Sequence, residues 1–253
     1  MKRLIKYAVF GLFILSFSFV LKTSSYAAGA FNTGSDDTKR CVIVIGDSRV
    51  CGLLCTLMKT SYIETINTDV NNNGMLMSGL FRVGNTWLVM SGEMSGRLSL
   101  NSYDNSVTTV KNIIESKSEL KDADKYIFIN MYGINDLYHN QTNASVYPEK
   151  YMVKNENIVN ELNYCDRIYQ FTSGPIDNRG IVYERGFRNE YIEKYNELFK
   201  SSENVEVIDQ YTYLVSNGYN GILDGEVTDH SGLHYDDPTN RSVYRLIMKV
   251  ARK

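Results

Sequence analysis

The sequence predicts an α/β domain in which a mostly parallel, five-stranded sheet carries helices on both faces. Three observations predict it. Short β-branched apolar runs recur along the chain, helical stretches separate them, and only three prolines interrupt the 253 residues. With 43% hydrophobic and 22% charged residues, the chain has the balance of a globular protein able to bury a sizeable core.

The run CVIVI over residues 41–45 is apolar on both faces, which marks a buried parallel strand. It ends at Gly46-Asp47-Ser48, and VCGLLCTLMK then reads as a helix. The polar stretch NTDVNNNG over 67–74 reads as an exposed loop. A second strand is expected over 87–90, a helix over 107–118 and a third strand over 126–131 (YIFINM). A helix over 148–162 leads to a fourth strand at 167–172, and a helix over 188–200 leads to a fifth at 205–208. The last element is a helix over 239–250, with Val243, Leu246, Ile247 and Val250 on one face. In such sheets ligands sit beyond the carboxyl ends of the strands, which points to the loops after Ile45, Met131 and Thr172.

The first residues read as an address. Lys2, Arg3 and Lys6 precede an apolar run from Tyr7 to Leu21, and small residues (SSYAAGA) follow. That is the layout of a secretory signal peptide over 1–28, joined by a short linker at 29–39 to a single domain at 40–253. The apolar run is about 15 residues long against the roughly 20 of a spanning helix, so a cleaved signal is expected, with an uncleaved anchor as the alternative. Membrane contact is then transient and confined to the signal. Cleavage removes Lys2, Arg3, Lys6 and Lys22 and no acid, taking the formal charge from -2 to -6. A secreted or cell-surface location is expected, and no basic surplus suits a nucleic acid partner. Cys41, Cys51, Cys55 and Cys165 form no C-x-x-C pair, so no metal site is expected; they read as structural or free thiols.

Two of the strand-end loops carry chemistry, and a third group lies near the C-terminus. In Gly46-Asp47-Ser48-Arg49, a serine at a strand-to-helix turn presents its hydroxyl above the sheet and its N–H toward an oxyanion, although Asp47 or Ser48 would also serve simply as a helix N-cap. Gly133-Ile134-Asn135-Asp136 offers an amide donor that does not titrate, in a tetrapeptide that also suits a plain turn. In TDHSGLHYDDP over 228–238, His234 is a candidate general base that could take the proton from Ser48, the role imidazole most often fills.

The order GDS, then G-x-N-D, then G-L-H along residues 40–253 resembles the SGNH (GDSL-like) hydrolase superfamily. The resemblance implies a flavodoxin-like, three-layer α/β/α sandwich and ester hydrolysis or acyl transfer without a cofactor. It makes Ser48 the nucleophile and His234 the base, with Asn135 and the Ser48 N–H as oxyanion donors. The remaining donor of the family is a glycine N–H after the second strand, for which Gly92 is the candidate and Gly96 the runner-up. Arg49 stands where the family name has leucine.

The departure is at the acid. The family writes D-x-x-H, and three residues before His234 this chain has Ser231. A serine can orient the imidazole but brings no charge to stabilise the imidazolium. Asp229 stands two residues further back, with Asp236 and Asp224 as poorer candidates. A Ser-His dyad, a triad with a displaced acid and a protein that has lost activity all remain open. His230 breaks the family register as an alternative base. His139 reads as a cleft-lining or surface residue, and Asp136 as a residue that fixes its loop. The segment SGPID over 173–177 would form a cleft wall beside Arg179 and Arg185.

The expected substrate is an acylated glycan, foremost an O-acetylated carbohydrate or cell-wall polymer, since an exported esterase meets such chains. The 19 tyrosines include candidates for stacking on sugar rings, though most are expected to pack. The alternatives are an O-acetyltransferase with the same Ser-His chemistry and a catalytically impaired glycan-binding surface protein.

Overall fold

Strand β1 (Arg40–Gly46) is buried along its whole length and lies inside the sheet, flanked on both sides by parallel neighbours. Its side chains alternate between two apolar layers. Cys41, Ile43 and Ile45 join one core cluster, and Val42 and Val44 the other. That double burial is why the run carries no polar face; each such side chain contributes about 1.5–3 kcal/mol of transfer free energy. These details come from a computed structural model that describes residues 37–93, 99–217 and 231–253. The export signal expected over 1–28, and all but the end of the linker, lie outside the described residues. No helix among the described residues is long and apolar enough to cross a membrane.

Helix α1 (Ser48–Met58) follows β1, then come strands β2 (Glu64–Val70), β3 (Leu76–Val83) and β4 (Thr86–Gly92). Helices α2 (Tyr103–Glu115) and α3 (Ser118–Lys121) lead to β5 (Lys125–Asn130). Next are α4 (Ile134–His139), α5 (Tyr147–Glu161), β6 (Arg167–Phe171), and the helices α6 (Ile181–Glu184) and α7 (Asn189–Asn196). Strand β7 (Val205–Ile208), α8 (Gln210–Ser216) and α9 (Asp237–Val250) complete the order.

The sheet runs β2-β3-β4-β1-β5-β6-β7, with β4, β1, β5, β6 and β7 parallel. Helices α2 and α5 cover one face. Helices α1 and α9 cover the other, where Val243, Leu246, Ile247 and Val250 are all buried. The five expected strands are therefore the five parallel ones, and the two extra strands form an antiparallel hairpin on the β4 edge. Asn67–Val70, expected in a loop, is instead part of β2; the turn proper is Asn71–Met75, closed by Gly74 at φ +74°. Strand β2 is exposed or half-buried at every position, so no apolar alternation marks it. Gly84, at φ +56°, opens the two-residue turn into β4 that fixes the antiparallel register.

Chain connections leave β1 toward β4 on one side and toward β5 on the other, which opens a crevice at its carboxyl end. A Cβ on Gly46 would lie 2.4 Å from Val50 Cγ2, so only glycine lets the strand turn this tightly into α1.

Candidate active site

Ser48 is the first residue of α1 and is half-buried at that crevice. Its Oγ lies 2.7 Å from His234 Nε2, across 186 residues of sequence. Asp47 is the N-cap of the same helix: its Oδ1 accepts the Arg49 N–H at 3.0 Å. The two readings of the tetrapeptide thus hold together, with the aspartate as the cap and the serine free to face the histidine. Asp47 is buried, and desolvation raises its carboxyl pKa against the opposing pull of Arg49.

Arg49 is buried and spends its guanidinium on three carbonyls: Leu233 O at 2.8 Å, Gly174 O at 2.9 Å and Pro175 O at 3.1 Å. It also lies over the Tyr235 ring, 4.4 Å from the centroid. The residue after the nucleophile therefore grips the loop that carries His234 and the loop that leaves β6.

The His234 loop is fastened twice more. Gly232 O accepts the Asp177 N–H and Ser231 O accepts the Val182 N–H, each at 3.0 Å. Here the chains cross so closely that a Cβ on Gly180 would lie 2.4 Å from the Gly232 Cα. Ser231 Oγ accepts the Leu233 N–H at 3.0 Å, a bond that shapes the same turn. Asp236 caps α9 by accepting the Thr239 N–H at 2.8 Å. Asp229, Asp224, His230 and Gly96 lie outside the described residues.

Asn135 is set by the turn after β5. Asn130 Oδ1 accepts the Tyr132 N–H, and Gly133 then takes φ +146° to begin α4, whose first turn holds Asn135. The Asn130 side chain is itself fixed by Asn155 and Gln170 in a buried amide cluster. Asn135 is buried yet lines the same cleft as Ser48 and His234, and its side-chain amide bonds to no described residue. An amide held ready in this way suits an oxyanion. The Asn135→Ala variant is expected to lose on the order of 10²- to 10³-fold in kcat, with KM little changed, in steady-state aryl acetate hydrolysis.

Asp136, the next residue, is fully buried. Its carboxylate accepts the Tyr151 hydroxyl and, at 3.3 Å, the Leu100 N–H, tying α4 to α5 and to the segment after β4. Burial pushes its pKa up to about 6, with the Tyr151 bond opposing. The folded state therefore takes up a proton that the unfolded chain has already lost. The resulting stability is complete below about pH 4 and is lost as pH rises through 6, a swing on the order of 3 kcal/mol. Asp136→Asn is expected to flatten this part of the melting temperature profile between pH 4.5 and 7.5; a variant profile parallel to that of the parent would contradict the assignment.

Gly92 ends β4 beneath the first turn of α1. A Cβ there would lie 2.7 Å from Cys51 Sγ and 2.8 Å from the Cys51 N, so this close approach accounts for the glycine. It is not among the described residues that line the cleft. The cleft has a volume of about 330 Å³. Its walls include Tyr138 and His139 from α4, together with Ile181, Val182 and Arg185. Of the two alternatives the sequence left for His139, the cleft-lining one holds, and Arg185 is at the wall as expected. All four cysteines are free thiols; burial raises those of Cys51 and Cys165 to about 12 and that of Cys41 further, which leaves them unreactive near neutrality. No group of three or more His, Cys, Asp or Glu side chains among the described residues is placed to hold a metal ion.

No family model matches the chain, and no curated protein matches it in sequence. Solved structures do. One, described as "a putative platelet activating factor from Streptococcus pneumonia", is 16% identical over 98% of each chain with a TM-score of 0.51. The chain shares the α/β fold of that structure. Other similar structures are a lipolytic G-D-S-L family member from Veillonella parvula and the acetyl xylan esterase AlAXEase. Each is 16% identical over 83% of this chain, covering 97% and 98% of its own length, with TM-scores of 0.49 and 0.48. Along the chain, Ser48 stands at the end of β1, Asn135 just after β5 and His234 just before the last helix.

Proposed function

We propose that the protein is a serine esterase of the SGNH type that removes acyl groups, foremost O-acetyl groups, from carbohydrate or cell-wall glycan outside the cell. The observation that carries this reading is the 2.7 Å contact between Ser48 Oγ and His234 Nε2 at the mouth of an open cleft.

Ser48 Oγ attacks the ester carbonyl as His234 Nε2 takes its proton. The carbonyl oxygen becomes an oxyanion, which the Asn135 amide and the Ser48 N–H stabilise; the latter sits at the start of a helix, where N–H groups have no intrahelical partner. Collapse expels the sugar alkoxide, which receives the proton from His234, and leaves an acyl-serine. Water, deprotonated by His234, then attacks the acyl-serine and releases the carboxylic acid and free Ser48. Asp229 or Ser231 orients the imidazole through its other nitrogen. Ile181, Val182 and Leu233 give the cleft an apolar wall suited to a short acyl chain.

The test is direct. The protein without residues 1–28 is expected to hydrolyse p-nitrophenyl acetate and to be labelled at Ser48 by a serine-directed phosphonate. Absence of both in folded protein would leave a glycan-binding role for the same cleft. Export is tested separately, by finding the full-length chain in the extracellular or surface fraction of a host cell and determining its N-terminus.

A further inference from the structure

Four arginines lie on the segments that carry cleft residues, with Arg49 next to Ser48, and Arg179, Arg185 and Arg188 beside α6; three have their guanidinium groups committed. Arg49 is bound to three carbonyls. Arg179 clasps Asp177 through both carboxylate oxygens, at 3.1 and 2.9 Å. Arg188 donates to Tyr183 O and Phe187 O and stacks on the Tyr183 ring, 3.9 Å from its centroid. Arg185 differs. It is exposed, it lines the cleft that holds Ser48 and His234, and it makes no side-chain hydrogen bond, ion pair or ring contact with any described residue. No aspartate or glutamate is among the described residues that line that cleft, so none of these side chains neutralises the charge.

The backbone beneath Arg185 is held to the catalytic loop. The Arg185 N–H bonds to Ile181 O and the Val182 N–H bonds to Ser231 O, each at 3.0 Å. The position of Arg185 is thus fixed against His234 through one short helix, while its planar fork of donors stays open to a ligand. A guanidinium pairs best with oxyanions, to which it donates two parallel bonds. An uncommitted cation in the cleft that holds the nucleophile favours a substrate of opposite charge.

We propose that Arg185 selects anionic substrates: acylated saccharides that carry a carboxylate or phosphate near the ester. This rests on the esterase reading of the same cleft and narrows it to a substrate class.

The experiment compares three acetyl esters built on one ring: a neutral methyl glycoside, its uronate and its 6-phosphate. The parent enzyme is expected to favour an anionic ester over the neutral one by about fivefold to tenfold in kcat/KM, mainly through KM, at low ionic strength. Added salt reduces the ratio. Arg185→Ala brings it to about one, Arg185→Lys keeps part of it, and Arg185→Glu reverses it. Preference for the uronate alone assigns a carboxylate, and preference for the phosphate alone assigns a phosphate. A parent ratio of one, or a ratio that survives Arg185→Ala, overturns the proposal. Titration calorimetry of the three esters with the Ser48→Ala protein reads the same preference without turnover, so failure of the esterase reading and failure of the anion preference are told apart.

Discussion

Replacing Ser48 or His234 with alanine is expected to lower kcat for p-nitrophenyl acetate by about 10⁴-fold or more, and the double variant is expected to be no slower than either single one. The reason is the geometry. With Ser48 Oγ 2.7 Å from His234 Nε2, the hydroxyl is a nucleophile only while the imidazole can take its proton, and the imidazole serves acylation only through that same proton, which it passes on to the leaving group. Removing either group therefore removes the whole pathway, and the second removal has nothing left to cost. Residual rate comes from the cleft and the Asn135 amide. If the two losses multiplied instead, the residues would be acting separately and the pair would not be the catalytic unit. The same assay separates the candidates for orienting His234. In serine protease triads, loss of the acid costs about 10⁴-fold. A comparable loss with Asp229→Asn but not with Ser231→Ala would assign a displaced triad. The converse would assign a dyad steadied by Ser231, and indifference to both would leave the loop contacts as what holds the ring.

Much of this site was legible in the sequence because loops after parallel strands are where such sheets place chemistry. Residues 41–45 gave away β1 by being apolar on both faces, and that located Ser48. Asn135 and Ser48 were found by the same rule. The hairpin of β2 and β3 was not legible as two strands, because β2 buries no residue and so leaves no periodic apolar trace. The tyrosines were ambiguous for the opposite reason: Tyr103, Tyr132, Tyr151 and Tyr169 are fully buried, whereas Tyr138 lines the cleft, and sequence spacing does not separate a packed ring from a presented one. The crossing of Gly180 over Gly232 depends on two loops meeting about 50 residues apart in sequence, and isolated glycines do not announce their partner. Arg49 was the least legible. In the sequence it simply stands where the family name has leucine, and only the positions of Leu233, Gly174 and Pro175 show what its length and charge are for.

For that reason Arg49 carries the second large prediction. Arg49→Leu, which restores the residue of the family name, is expected to destabilise the protein by about 3–5 kcal/mol and to reduce activity even where the variant is folded. The guanidinium satisfies three backbone carbonyls, two of its donors being in buried contacts. Leucine satisfies none, and each carbonyl left buried without a donor costs about 1–3 kcal/mol, partly offset by water entering and by the desolvation that the charge no longer incurs. The effect on catalysis follows from one of those carbonyls. Leu233 O belongs to the residue before His234, so its release loosens the loop that holds the imidazole, and a displacement of about 1 Å is enough to cost on the order of 10²-fold. A structural loss alone would scale with the fraction unfolded. The two are separated by measuring kcat at 15 °C, well below the variant's own melting temperature, alongside Arg49→Lys, which keeps the charge but reaches fewer carbonyls. Loosening of His234 lowers kcat in both variants at full folding, more in Arg49→Leu than in Arg49→Lys. Parental kcat in fully folded Arg49→Leu would mean that the clamp serves stability only, and that the contacts of Gly232 and Ser231 suffice to hold the base.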